Sequence, residues 1–206
     1  MDLSTVDHLL TTTRSVRRRL DLTRPVEREV IARCIDIAIQ APNGGNFGRY
    51  HFVVVTEPAK RASIADIYKK VMAEYVLPQQ ELYGPGLLAS SLHLAEHLHE
   101  VPVHIIPCIA GRAEHESPYV QASRYGSILP ATWSLMLALR ARGLGSVWTT
   151  IHLHYEQEVA TLLGIPADMT QAALLPVAYF TGTDFKPAKR VPSRERTYWD
   201  TWGQTC

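Results

Sequence analysis

PVEREVIARCIDIAIQAPNGGNFGRYHFVVVT, residues 25–56, holds a helix, a turn and a strand in succession. Over Pro25–Gln40 the apolar residues Ile31, Cys34, Ile35, Ala38 and Ile39 recur at helical spacing, while Arg28, Glu29, Arg33 and Asp36 take the opposite side. Pro42 ends that helix, because its ring lacks a donor and restricts the residue before it. Pro42-Asn43-Gly44-Gly45-Asn46 is a turn in which two successive glycines can take positive φ. Then comes a β-branched run, with a buried strand expected over Phe52–Thr56. Helix, turn and strand in such close order imply a mixed layer fold of the α+β or α/β kind.

The same alternation continues along the chain. Helices are expected over Ala59–Tyr75, Leu87–His99, Pro130–Arg142 and Tyr155–Leu163, with Gly143 and Gly164 closing the last two. Pro78–Gly86 reads as a loop. Further strands are expected at Val103–Ala110, Ser146–Ile151 and Ala172–Phe180. Pro107 falls inside the first of these and calls for an edge position or a bulge. After Gly182 the chain turns basic and proline-bearing, and it carries Tyr198, Trp199 and Trp202. A tail with large aromatics but little patterning needs a surface to pack on, its own domain or a partner subunit.

Composition sets outer limits. With 206 residues, 46% of them hydrophobic and 20% charged, this is an ordinary globular chain of one domain, or two tightly merged ones. A net charge of +1 provides no global field for nucleic acid or anionic membrane. No apolar run approaches the ~18 residues of a membrane span. The start, MDLSTVDHLLTTTRSVRRR, is polar where a secretory signal would be apolar, so a cytoplasmic protein is expected. Cys34, Cys108 and Cys206 are widely spaced and odd in number, against a disulfide framework or a CxxC metal site.

Several candidate chemistries fail on their own terms. His93-Leu94-Ala95-Glu96-His97 has the H-x-x-E-H spacing that lets two helical histidines share a metal, with Glu96 as base. Yet His99 and His104 make the region histidine-rich without pattern, and no residue is singled out as a third ligand, so no metal is expected. Gly143-Leu144-Gly145 follows a helix instead of a strand and lacks the third glycine of a dinucleotide loop. Neither Ser15, Ser63, Ser91 nor any other serine sits in a G-x-S-x-G elbow.

The basic clusters are more informative. Arg14, Arg17, Arg18 and Arg19 crowd near one end, and Lys186, Lys189, Arg190, Arg194 and Arg196 near the other. Such runs are commonly solvated faces, and Arg18, Arg19, Arg194 and Arg196 read that way. In a near-neutral chain the two local excesses nevertheless suit a discrete anion. A phosphate monoester fits, with planar guanidinium forks and the Ser15 hydroxyl as donors.

At this point the chain resembles the nitroreductase family. The resemblance lies in Thr13-Arg14-Ser15-Val16-Arg17-Arg18, the helix opened by Pro25-Val26, Ala41-Pro42-Asn43-Gly44-Gly45-Asn46 and the strand HFVVV. It continues through Gly143-Leu144-Gly145-Ser146-Val147-Trp148, Leu163-Gly164-Ile165-Pro166, the segment Lys186–Pro192 and the YWDTW end, nearly the whole chain in order. It implies an α+β, three-layer sandwich with a central, mostly antiparallel sheet flanked by helices. It also implies an intertwined homodimer that binds FMN at the subunit interface. By the same resemblance residues 1–182 form the FMN-binding domain, and 183–206 an arm that packs on the partner.

Residue by residue, Arg14 and Ser15 match phosphate-side positions, and Arg190 the arm residue that closes on the phosphate. Arg17 matches the cation near the pyrimidine edge of the ring, and Asn46 the amide contacting that ring. Pro42, Asn43 and Gly44 match the loop along the flavin face. Thr149 and Thr150 fall where backbone groups meet the ring. Departures from the common pattern are Thr13 where many members have Arg, Tyr50 for Trp, Thr149-Thr150 for Gly-Gly and Val191 for a basic residue.

The implied activity takes electrons from NADH or NADPH and passes them by a ping-pong mechanism to a small acceptor, a nitroaromatic or quinone. No side-chain acid or base is required, and Arg17 tunes the ring. The rival readings are a flavin-binding storage or sensing protein with little turnover, and a zinc hydrolase built on His93 and His97.

Overall fold

The computed structural model describes residues 2–204; Cys206 lies outside them. The described chain divides into two compact units, one spanning Arg14–Thr183 and the other uniting the residues before Arg14 with those from Asp184 onward.

The larger unit is built on five strands, β1 (Tyr50–Val55), β2 (Val103–Ala110), β3 (Leu144–Ser146), β4 (Met169–Gln171) and β5 (Leu175–Tyr179). They form one sheet in the order β1-β2-β5-β3, with β4 also against β2, and every ladder is antiparallel. Its helices are α2 (Arg28–Ala38), α3 (Pro58–Val71), α4 (Pro85–His97), α5 (Pro118–Arg140) and α6 (Glu156–Leu163). β2 is the middle strand, buried from Val103 to Ile109, so it is apolar on both faces. On one face Val103 and Ile105 join Leu144, Leu175 and Val177 in packing against Ile31, Cys34 and Ala38 of α2 and Leu135, Met136 and Leu139 of α5. On the other face His104 is bonded through Nε2 to the Leu98 carbonyl just beyond α4. This is the expected α+β arrangement of a mostly antiparallel sheet flanked by helices.

Several expected boundaries move, each for a local reason. The third strand is not Ser146–Ile151 but Leu144–Ser146, followed by a lone bridge from Thr149 to Leu174 and a 3-10 turn at Ile151–Tyr155. β-branched composition is a weak preference, and here the contacts of Thr149 with Leu174 and Tyr68 override it. The expected strand Ala172–Phe180 is shortened to β5, Leu175–Tyr179, and a separate short strand, β4, precedes it at Met169–Gln171. Cys108 pairs with Gln171 and Ile105 with Leu175, so two residues of β2 face three across the ladder. That extra residue is a bulge, set where Pro107 has no N–H to give, and the Pro107 carbonyl takes the Ala172 N–H at 2.8 Å instead. Pro107 therefore sits in a central strand at a bulge and not at an edge.

α5 begins at Pro118, with Ser117 capping the Val120 N–H, and it runs through Pro130 where the sequence suggested a start. An internal proline costs about 3 kcal/mol; Ile128, Ala131, Thr132, Leu135 and Leu139, all fully buried along this helix, offset it. The helix expected at Ala59–Tyr75 is α3, extended by a π-helical segment at Met72–Val76. The expected loop at Pro78–Gly86 is mostly a 3-10 stretch, Leu77–Leu82, before α4 begins at Pro85. Gly164, at φ +67°, caps α6 as its position implied.

Cys34 and Cys108 are buried free thiols, and burial pushes Cys108 up to about 12. Among the described residues no helix is long and apolar enough to cross a membrane.

The smaller unit contains α1 (Leu3–Thr12), capped by Asp2 and not foreseen from the sequence. His8 of α1 is bonded to Asp184, and the tail carries one 3-10 turn, Ser193–Glu195. Tyr198 and Trp202 pack at 4.7 Å, yet Trp202 remains 86% exposed.

Candidate functional site

Arg14, Ser15 and Arg17 lie along the outer edge of β3. Ser15 forms a parallel bridge with Ser146, and the Val16 N–H donates to the Ser146 carbonyl at 2.9 Å. Val16 is buried against the sheet, Ser15 is exposed, and Arg14 and Arg17 are half-buried. The approach is close enough to require Gly145, since a Cβ there would stand 2.9 Å from Val16 Cβ.

Arg17 lies near Tyr68, a residue distant in sequence. Tyr68 on α3 is 1% exposed, and its hydroxyl lies 3.1 Å from Thr149 Oγ1. Burial raises the phenol pKa, while the Thr149 hydrogen bond and the nearby Arg17 guanidinium pull it partway back. Burial lowers the Arg17 pKa, but a guanidinium stays charged in proteins. The group is a cation near a buried, neutral phenol, with no carboxylate partner among the described residues. Thr149 gives its backbone N–H to Leu174 at 3.1 Å and accepts from Leu174 N at 2.8 Å. Both of its main-chain groups are thus engaged, and Thr150 is the exposed member of the pair.

The Pro42–Asn46 turn stands elsewhere. Gly44 N–H donates to Ser127 Oγ at 2.9 Å, and a Cβ on Gly44 would come within 2.5 Å of Ser123 Oγ, so the turn is clamped to α5. Asn43 Oδ1 accepts from Gly48 N at 3.1 Å, which spends its acceptor inside the turn. Gly45 and Asn46 take φ of +63° and +53°, and Asn46 is exposed. The turn leads into β1, at the far edge of the sheet from β3. Four inter-strand steps, roughly 19 Å, separate β1 from the Arg14–Arg17 edge within one chain. Arg190 belongs to the other unit, is exposed, and has no carboxylate partner among the described residues.

Of the expected residues, then, Arg14, Ser15, Arg17, Thr149 and Thr150 gather around the β3 end, while Pro42, Asn43, Gly44 and Asn46 gather near β1. Tyr68 is a site residue that the sequence reading does not single out. Its signal was the hydroxyl, since a buried phenol must find a partner. The metal reading gains no support: the His93 and His97 rings pack at 4.5 Å, but His97 Nδ1 is bonded to Glu100 at 2.6 Å. No group of three His, Cys, Asp or Glu converges among the described residues.

The nitroreductase family model matches residues 10–179. A 5,6-dimethylbenzimidazole synthase of Rhodospirillum rubrum is 29% identical over 185 residues, covering 86% of this chain and 81% of that protein. An iodotyrosine deiodinase of Drosophila melanogaster is 30% identical over 174 residues, 81% of this chain and 59% of that one. Among solved structures, an FMN- and NADPH-dependent nitroreductase variant from a Sphigopyxis strain superposes with a TM-score of 0.72 at 22% identity. It covers 98% of this chain and 100% of that one. On its fold and on the match across most of its length, the chain belongs to the nitroreductase family.

Proposed function

We propose that the protein is an FMN-dependent oxidoreductase that takes electrons from NADH or NADPH and delivers them, in separate half-reactions, to a small acceptor such as a nitroaromatic or quinone. The observation that carries this reading is Arg17: a half-buried cation, unanswered by any described carboxylate, near the buried Tyr68 phenol that Thr149 holds in place. The donor set fits the cofactor, with Arg14, Ser15 and Arg190 toward the phosphate and Arg17 and Asn46 toward the polar edge of the ring. When bound, FMN supplies the hydride and electron chemistry. The chain binds and orients it, and Arg17 favours whatever negative charge develops on the ring in a partly dry setting.

The working unit is a homodimer. One chain holds the Arg14–Arg17 edge and the Pro42–Asn46 turn on opposite sides of its sheet, so a second copy completes the site by bringing its turn to the first copy's edge. Ile39 and Trp133 leave large apolar surface exposed on the single chain, as does Trp199 in the tail, and a second copy would cover it.

Purified protein should be yellow, scatter light as a dimer, and oxidise NAD(P)H in the presence of menadione or a nitroaromatic. Yellow protein without steady-state oxidation would favour storage or sensing. A colourless preparation that takes up no added FMN overturns the reading.

A further inference from the structure

A cavity of about 460 Å³ opens beside the Pro42–Asn46 turn, between that turn, β2 and the first half of α5. Its size lies within the range of small-ligand pockets. Phe47, Ile109 and Val120 contribute apolar surface, and Arg49, Arg124 and Asp168 supply charge. The walls are held in place. Gly44 is clamped to Ser127, and Gly111 at φ +91° leaves room for the Arg124 guanidinium, which a Cβ there would meet at 2.8 Å.

The two cations are not equivalent. Arg124 donates to the Arg112 carbonyl and lies 3.5 Å from Glu116, so its charge is answered and its orientation fixed. Arg49 sits over the Phe47 ring at 4.9 Å and has no carboxylate partner among the described residues. An exposed guanidinium stacked on an aromatic ring at the edge of an apolar cavity presents its fork to a carboxylate while the ring flanks a planar ligand. The Asp168 carboxylate, also without a cation partner in the described residues, disfavours a dianion and leaves a single negative charge as the better match.

We propose that this cavity binds a planar aromatic monocarboxylate, with Arg49 holding the carboxylate and Phe47, Ile109 and Val120 contacting the ring. As an electron acceptor this ligand depends on the function proposed above, because the cavity adjoins the turn assigned to the flavin of a second copy. As a ligand it depends on the cavity alone.

The test is equilibrium binding of three matched probes, 2-naphthoate, 2-naphthalenemethanol and 2-naphthylmethylammonium, to the full chain with and without added FMN. Flavin uptake is recorded separately by absorbance, so a failure of the flavin reading shows independently of naphthoate binding. Naphthoate should bind about tenfold or more tighter than the alcohol, the scale of one charge-assisted hydrogen-bonded contact. Arg49→Gln should erase that preference and Arg49→Lys should retain part of it. Arg49 is exposed and its backbone carbonyl remains available to Ala110 N, so folding is not at risk in either variant. Equal binding of naphthoate and alcohol, a preference for the ammonium probe, absence of binding, or an unchanged preference in Arg49→Gln overturns the proposal.

Discussion

The Tyr68 hydroxyl and Thr149 Oγ1 lie 3.1 Å apart inside the protein, joining α3 to the segment that leaves β3. This contact fixes the buried phenol near Arg17, and it makes that position sensitive to single atoms.

Tyr68→Phe removes one hydroxyl and leaves Thr149 Oγ1, in a residue only 7% exposed, without its phenol partner. The cost should be about 1–2 kcal/mol. Urea unfolding should show a lower midpoint with an unchanged slope, since the folded surface is the same. An unchanged midpoint would mean that water replaces the phenol.

Arg17 and Arg190 should produce different defects. Arg190→Ala would remove the proposed phosphate contact and should weaken FMN binding about ten- to a hundredfold, or ~1.5–3 kcal/mol, with little effect on the potential of flavin that remains bound. Arg17→Ala should lower the potential on the order of 30–60 mV, the two-electron equivalent of about 1.4–2.8 kcal/mol, and slow reduction by NAD(P)H. Redox titration of both variants at saturating FMN separates the two roles, and an unmoved potential in Arg17→Ala removes that residue from the ring.

Gly145→Ala should displace the Arg14–Arg17 edge, because the new methyl would stand 2.9 Å from Val16 Cβ. Destabilisation of about 1–3 kcal/mol is expected from such overpacking, together with weaker FMN binding. Val16→Ala in the same chain should recover part of both losses. A double-mutant cycle measures the coupling, and simple additivity would show that the two sites do not touch.

Acid should destabilise the fold through its interior histidines. Burial pulls His104 and His152 down to about 4, below the ordinary value of 6.5. Between those values the unfolded chain binds more protons than the folded one, so stability falls as pH is lowered from about 6.5 and levels off below about 4. Each histidine accounts for about 3 kcal/mol across that window. Thermal or urea midpoints measured from pH 7.5 to 4 should follow this course, and His104→Phe should flatten it. A flat wild-type profile would place both imidazoles in contact with solvent.

Local order was legible in the sequence wherever it depends on neighbouring residues. The helical spacing of Ile31, Cys34 and Ala38 matched a buried face of α2, and Gly164 marked the end of α6. The β-branched run after the Asn43–Asn46 turn matched β1, and the ordered motifs identified the family. Pro107 announced a bulge or an edge, but only the pairing of its neighbours with Gln171 and Leu175 decided for the bulge. Tertiary packing alone settled the rest. Pro130 stays inside a helix because enough of α5 is buried to outweigh the proline, a balance that composition does not reveal. The run Val147–Ile151 leaves the sheet because Thr149 is held by Leu174 and by Tyr68, 81 residues away. Spacing along a chain encodes which face a residue takes; a contact across that distance depends on how whole elements pack, and so Arg17's neighbours became visible only in the folded molecule.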